Sequence, residues 1–455
     1  MPRLARLEVY GLLNRFDHVI SIPDEWEFVI LHGPNGVGKT KLLEIIAASL
    51  SGNVEQLARI PFNHCELSFD DGTRMVLARE RTNKSLSHNY ARRHLPQSPR
   101  TSISMNVFLP GVPRPLTRQT RPRNSMRYKR YLDVLEDQYP VIRVGADTWQ
   151  DVESGESYTT DEALLRYELI GPDAFQMDEE NPQLTEFFQS LSVHMIDTQR
   201  LLTDQRAESQ RIRRPDTPTP PRVSHYSRDL VRRLGKALAA NSRTSQELDR
   251  TFPQRLMTND FQPASATEDQ IRTRYANQSE LRNRLADISV LDDSQDFELP
   301  DRELHDWERR VLWTYLEDVQ NKLATFDLLL NKLELLRDII NARFLFKQLK
   351  IDRESGFLFT TDTGHQLGPD RLSSGEQHEL VLLYDLLFNV KPNSLVLIDE
   401  PEISLHVSWQ QQFLNDVIRI SELTSLRFVI ATHSPQIIHK WWSRTQALAV
   451  DPDEA

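Results

Sequence analysis

Four short stretches of this 455-residue chain carry residue types and spacings that could do chemistry. The first, GPNGVGKT at 33–40, follows the apolar WEFVILH and opens the helix-patterned KTKLLEIIAASL. It satisfies GxxxxGK[ST] in a strand-to-helix setting, the form of a phosphate-binding loop. Gly33, Gly36 and Gly38 let backbone N–H groups turn toward phosphate oxygens, with Asn35 in the same loop and the positive end of the next helix behind it. Lys39 would reach the β and γ phosphates of a nucleotide, and Thr40 would offer a hydroxyl to Mg2+. The second stretch, SLVLIDEPE at 394–402, is an apolar run ending in paired acids. Asp399 there can hold Mg2+ and Glu400 can take a proton from an attacking water; on their own, such acids also suit an exposed turn or helix cap. The third and fourth are LSSGEQ at 372–377 and ATHS at 431–434.

The elements that must position these groups read as α/β. ARLEVYGLLNRFDHVISI alternates like a hairpin, and HCELSFDDGTRMVLARE reads as two strands joined by an Asp-Asp-Gly turn. Toward the C-terminus come a strand at 357–361, LSSGEQ and its helix, the strand SLVLID, the helix SLHVSWQQQFLNDVIRI and the strand RFVIAT. Such uniformly apolar strands predict a parallel sheet buried on both faces. Residues 1–80 and 349–455 are therefore expected to build one domain, with everything between them as an excursion.

Within that excursion, 81–160 reads as a basic irregular insertion, because 81–130 is studded with Pro, Ser and Arg without a clear period. Residues 161–210 read as a helical subdomain followed by the short strand VHMIDTQ, and 211–348 as a mainly helical insertion. Leu312, Leu316, Val319, Leu323, Phe326, Leu330 and Leu333 step by four and three, which fits either a coiled coil, with Leu281, Leu285 and Ile288 on an antiparallel partner, or an ordinary buried helical face.

The net charge is −11, yet residues 81–130 hold twelve Lys and Arg and no acid. One basic segment thus sits on an acidic body and could bind a nucleic-acid backbone or an acidic partner. The single cysteine, Cys65, excludes an internal disulfide framework and reads as a small core residue in a reducing compartment. Neither a signal-peptide h-region nor an apolar run long enough to span a membrane is present, so a cytoplasmic location is expected.

The phosphate-binding loop, LSSGEQ, IDEPE and ATHS, in that order, resemble the ABC-type ATPases, especially the RecF, SMC and OLD-like branch. The resemblance implies an ABC-type P-loop ATPase head built from both chain ends, using ATP and Mg2+, in homodimers or higher oligomers. It also implies that LSSGEQ closes over ATP held by another subunit: Ser373 would donate to the γ-phosphate, and Gly375 would allow close backbone approach. Taken alone, Ser373 is also a good helix N-cap. By the same resemblance His433 is the switch histidine that senses the γ-phosphate, and Gln199, after the strand VHMID, is a Q-loop glutamine contacting Mg2+ and the attacking water. Gln199 read alone is a polar loop residue. Arg15, in the first strand-turn, would face the nucleotide.

Within that superfamily, DEPEISLHVSWQQQFL and ATHSPQII resemble the compact ATPases of bacterial anti-phage systems, namely the ATPase subunits of PARIS, of Septu and related retrons, and the OLD nucleases; Val407 stands where many of these carry Pro. The implied role is a sensor that holds a separate effector nuclease, TOPRIM-like by preference and HNH as the alternative, and responds to a phage protein. Only 22 residues follow His433, so no TOPRIM nuclease is expected on this chain. The other reading is a RecF-like DNA-repair or DNA-clamping ATPase that grips duplex backbone with 81–130 and the helical insertion.

Overall fold

The computed structural model describes residues 2–81, 101–119, 181–197, 222–258, 267–292, 299–403 and 405–448, with short pieces between 132 and 167. The expected hairpin is present as β1 (Leu4–Leu12) and β2 (Phe16–Ser21). Next, β3 (Phe28–His32) runs through the glycine loop into α1 (Lys39–Leu50), and α2 (Val54–Arg59) leads to the second expected pair, β4 (His64–Phe69) and β5 (Arg74–Arg81).

The sheet then continues through β6 (Thr101–Phe108) and β7 (Leu116–Gln119). These strands complete an antiparallel sheet of order β2-β1-β4-β5-β6-β7. Residues 101–119 are therefore not irregular, contrary to the sequence reading of 81–160. Ile103, Met105 and Val107 alternate inward and are fully buried, a period of two that the surrounding Pro and Arg residues mask. Further on, β8 (Val141–Arg143), β9 (Thr148–Asp151) and β10 (Ser157–Thr159) form a small meander around the buried Trp149. The bases at 82–100 and 120–131 lie outside the described residues.

Helix α3 (Pro182–Ser190) and β11 (Val193–Asp197) return the chain to its core. Four helices follow: α4 (Arg222–Thr258), α5 (Glu268–Asp287), α6 (Asp306–Ala324) and α7 (Asp327–Arg343). The heptad-like stripe spans two of them, because the helix ends at Ala324 and restarts at Asp327. Leu316 packs with Ile271 and Leu304, whereas Val319, Leu323, Phe326, Leu330 and Leu333 enter the main core. The geometry is that of a buried helical face, not a continuous coiled-coil seam. Gln278 donates to the Leu316 carbonyl at 2.7 Å, and Lys322 pairs with Asp249 at 2.7 Å, tying α6 to α5 and to α4.

The remaining elements are an antiparallel trio, β12 (Lys347–Asp352), β13 (Gly356–Thr361) and β14 (Gln366–Leu367), then α8 (Ser374–Tyr384), β15 (Leu395–Asp399), α9 (Val407–Thr424), β16 (Arg427–Ala431), α10 (Pro435–Ile438) and β17 (Thr445–Ala447). The core sheet has the order β11-β15-β16-β3-β17, every pair parallel. Its central neighbours β3 and β16 come from opposite ends of the chain, so the expected α/β domain with a parallel sheet assembled from both ends is observed.

Alternation explains why these strands are apolar throughout. Val29, Leu31, Leu395, Leu397, Val429 and Ala431 face α1 and the antiparallel sheet; Phe28, Ile30, Val396, Ile398, Phe428 and Ile430 face α7, α8 and α9. Burying each larger side chain contributes about 1.5–3 kcal/mol. Cys65 is buried in the first of these layers, as expected, and burial pushes its thiol well above the usual range.

A buried charge cluster pins the helical face. Arg343, closing α7, pairs with Glu379 of α8 and Asp416 of α9. Arg343 is 7% exposed and Glu379 1%. Burial holds the guanidinium below its ordinary range and the Asp416 carboxyl above its own. Arg343→Met leaves the buried Glu379 carboxylate without its cation and Asp416 with only Arg419, at 3.7 Å, and about 3–5 kcal/mol of stability should be lost in denaturant titration; Arg343→Lys should retain part of it.

Candidate functional site

The glycine loop is shaped by its neighbours. Gly36 and Gly38 both have φ of 91°, a left-handed conformation that side chains resist. A Cβ on Gly38 would also lie 2.7 Å from Leu12 Cδ2, so the β1–β2 turn abuts the loop. From β2, the buried His18 places Nε2 2.9 Å from the Val37 carbonyl and, as the Nε2–H tautomer, donates to it. Arg15, exposed on the same turn, stacks over Phe16 with its guanidinium 5.5 Å from the ring centre. Lys39 is 5% exposed, and its Nζ donates to the Gly33 and Pro34 carbonyls at 2.9 and 3.1 Å. Its ammonium is thus folded back onto the loop lip.

Thr40 and Asp399 are brought into contact from opposite ends of the chain. The Thr40 hydroxyl donates to Asp399 Oδ2 at 2.7 Å. Paired hard oxygens at this point fit Mg2+, which takes one or two protein oxygens and completes its shell with phosphates and waters. Among the described residues no group of three or more His, Cys, Asp or Glu could hold a metal ion, so phosphates and waters would have to supply the other ligands.

Glu400 follows Asp399 with φ of 45°. A left-handed non-glycine residue costs about 1–3 kcal/mol and persists only where the surroundings hold it; here its N–H donates to the Ala431 carbonyl at 2.8 Å. Its carboxylate is 30% exposed and lies 3.8 Å from His433 Nδ1. Glu400 thus stands between β15 and a short 3-10 turn, Pro401–Ile403, and its carbonyl accepts the Ile403 N–H at 3.2 Å.

Glu402, which sequence reasoning passed over, organises this corner. Its Oε1 accepts the His433 backbone N–H at 2.9 Å, and Oε2 accepts the Thr432 hydroxyl at 2.8 Å. The His433 ring places Nδ1 3.1 Å from Oε1, where an Nδ1–H tautomer donates and Nε2 is left outward. Gln410 adds to the clamp by accepting from Ser434 at 2.8 Å. The last acid of DEPE was the available signal, but its partners lie some thirty residues away.

LSSGEQ lies on the other layer. Ser373 is the N-cap of α8, with a capping box to Glu376, and Glu376 pairs with Lys347 at 2.8 Å. The Lys347 ammonium and the Ser373 bonds hold the Glu376 carboxyl below its usual range despite burial. Leu372 and Leu380 belong to the core layer that contains Phe28 and Ile30, whereas Val37 and Leu42 of the loop and α1 belong to the opposite one. A Cβ on Gly375 would meet nothing within 4 Å. The fold thus brings Lys39, Thr40, Asp399, Glu400 and His433 to one end of the core sheet and keeps Ser373 and Gly375 on a separate face. Gln199 lies outside the described residues.

Residues 226–439 match the family model described as "AAA domain, putative AbiEii toxin, Type IV TA system". Comparison with curated proteins finds no match. Solved structures with partial overlap include the Smc head domain with an extended coiled coil bound to the C-terminal domain of ScpA, derived from Pyrococcus furiosus, at 13% identity and TM-score 0.33, covering 96% of this chain and 91% of that one. The SMC head domain from Thermotoga maritima overlaps at 10% identity and TM-score 0.30, covering 96% and 91%. A SmcHead bound to the C-winged helix domain of ScpA overlaps at 11% identity and TM-score 0.34, covering 99% and 95%. Among the described residues no helix is long and apolar enough to cross a membrane.

Proposed function

We propose that this chain binds and hydrolyses ATP with Mg2+ at sites shared between copies, and that this cycle controls a separate effector in bacterial anti-phage defence. The observation that carries the ATPase reading is the 2.7 Å contact of Thr40 with Asp399, which joins the loop to the paired acids. In this reading the loop N–H groups and Lys39 bind the phosphates, and Thr40 and Asp399 hold Mg2+, which neutralises phosphate charge when bound. Glu400 accepts the proton of the attacking water, and His433, clamped by Glu402, faces the γ-phosphate. Gln199 would contact the metal and the water. Lys39→Ala should abolish ATP binding in calorimetry; undiminished affinity would contradict the site.

The composite site is supported by Gly375. Glycine costs up to about 1 kcal/mol relative to Ala in a helix interior and has no propensity advantage in the first turn, and among the described residues no contact requires it there. A nucleotide on a second copy supplies the reason, with Ser373 as donor, and places the protein in homodimers or larger assemblies. Glu402 positions rather than reacts. Glu402→Gln turns an amide N–H toward the donors of Thr432 and His433, so kcat should fall about 10- to 100-fold with little change in nucleotide affinity; loss of both in equal measure would mean general unfolding of the corner.

The defence role rests on the resemblance of DEPEISLHVSWQQQFL and ATHSPQII to anti-phage ATPases and on the toxin-antitoxin description of the matching family. It assigns a cytoplasmic sensor, triggered by a phage protein, that holds a nuclease, TOPRIM-like as in PARIS or HNH as in Septu. Co-purification with the products of neighbouring genes tests it: a nuclease in stable complex supports the role, and an ATPase that copurifies with nothing contradicts it. The acid-free run 81–130 favours a second reading, a RecF-like DNA-clamping ATPase. That reading expects duplex binding that weakens steeply with salt and is lost when Arg121, Arg123 and Arg127 become Glu.

A further inference from the structure

A glycine-rich loop grips phosphate with backbone N–H groups, so the direction of each peptide unit matters as much as the glycines that permit it. Gly38 stands at φ of 91°, but glycine populates positive and negative φ about equally. Gly38 by itself therefore does not select one orientation of the peptide unit that precedes it. That unit, Val37–Gly38, is trans, and in a planar trans unit the carbonyl and the following N–H point in opposite directions. Whatever holds the Val37 carbonyl thus aims the Gly38 N–H.

A side chain from the other sheet holds it. His18 of β2 is 4% exposed, and its Nε2 lies 2.9 Å from the Val37 oxygen. A carbonyl oxygen only accepts, so Nε2 carries the proton in this contact. The ring is fixed in turn: His18 pairs with Val9 across the hairpin, and Phe16 stacks on it with ring centres 5.9 Å apart and planes 11° from parallel. Leu12 of the same hairpin lies against Gly38, where an added Cβ would meet it at 2.7 Å. With the Val37 oxygen turned to β2, the Gly38 N–H points away from the hairpin. Helix α1 begins its ladder at the bond from the Leu42 N–H to the Gly38 carbonyl, 2.9 Å, and its first N–H groups have no acceptor within the helix.

We propose that His18 is a positioning residue for nucleotide binding: its Nε2–H keeps the Val37 carbonyl off the anion and so turns the Gly38 N–H toward it. Without that bond the peptide unit is free to turn over and present a carbonyl oxygen to a phosphate, which replaces an attraction by a repulsion. The proposal rests on the ATPase reading and adds to it a residue that lies outside all four sequence motifs and touches no substrate atom. If the bond served only to satisfy a buried histidine, its loss would lower stability and leave nucleotide affinity alone.

The test compares three full-length variants. His18→Leu and the more adaptable His18→Met remove the donor at similar size, whereas His18→Gln keeps an N–H at the same distance along the side chain. Each is melted to establish cooperative folding, titrated with Mg2+ and ADP in a calorimeter, and assayed for ATP turnover. The donor-less variants should bind Mg2+-ADP about 10- to 100-fold more weakly, the range for a lost hydrogen bond to a charged group. Their KM for ATP should rise in step while kcat stays within a few-fold, and His18→Gln should recover most of the affinity. Affinity equal to the parent's in a cooperatively folded donor-less variant, or a Gln variant as weak as the Leu and Met variants, would overturn the proposal while leaving the ATPase reading in place. A parent protein that binds no Mg2+-ADP would overturn that reading and the proposal with it.

Discussion

Replacing Glu400 with glutamine should lower steady-state ATP turnover about 100-fold or more while nucleotide remains bound, because a general base contributes about 10²–10⁴ to rate and an amide cannot take the proton. The geometry around Glu400 favours this outcome over a mere loss of packing. Its carboxylate is partly open to solvent, and its strained backbone is held by the N–H bond to Ala431 and by the bond its carbonyl accepts from Ile403, both of which the substitution leaves alone. A structural role would instead move stability and affinity together with rate. Single-turnover measurements separate the cases, since slow chemistry with normal binding belongs to a base. Turnover within a few-fold of the parent would remove Glu400 from that role and leave water activation to another group.

The second large effect concerns mixing. Lys39→Ala removes the phosphate-binding ammonium, and Ser373→Arg places a bulky cation at the N-cap of α8, so each protein alone should be inactive. In a one-to-one mixture of exchanging dimers, about half are mixed. Each mixed dimer joins one sound glycine loop to one sound LSSGEQ, so about a quarter of parent activity should return. This expectation follows from the separation of the motifs: Ser373 bonds within its own cap and lies on the layer with Phe28, while the loop belongs to the layer with Leu31. An additive, inactive mixture at every ratio would place the signature segment in some role other than completing a neighbour's site.

How much could be read in advance depended on how local each cause was. GPNGVGKT, the hairpins and the strand preceding Asp399 were legible because turn glycines, period-two alternation and apolar runs act over a few residues. Strand β6 was hidden: the alternation of Ile103, Met105 and Val107 is short and lies among prolines and arginines that argue for a loop. The stripe from Leu312 to Leu333 was legible as a buried face, but the helix break between Ala324 and Asp327 was not. That break lets Phe326 turn into the main core, which only the assembled head provides. Glu402 was illegible for the same reason, since its partners Thr432 and His433 meet it only when β15 and β16 lie side by side. The cap role of Ser373 and its proposed donor role are not exclusive, because a helix N-terminus that bonds its own cap still directs N–H groups outward.

The most direct test of a nucleotide site completed by a second copy is the sedimentation mass of the Glu400→Gln protein with and without ATP and Mg2+. A mass that doubles, or rises further, only with ATP and Mg2+, and that Ser373→Arg returns to the nucleotide-free value, is the result predicted here. A mass indifferent to nucleotide, or an ATP-dependent increase that survives Ser373→Arg, would contradict the shared site.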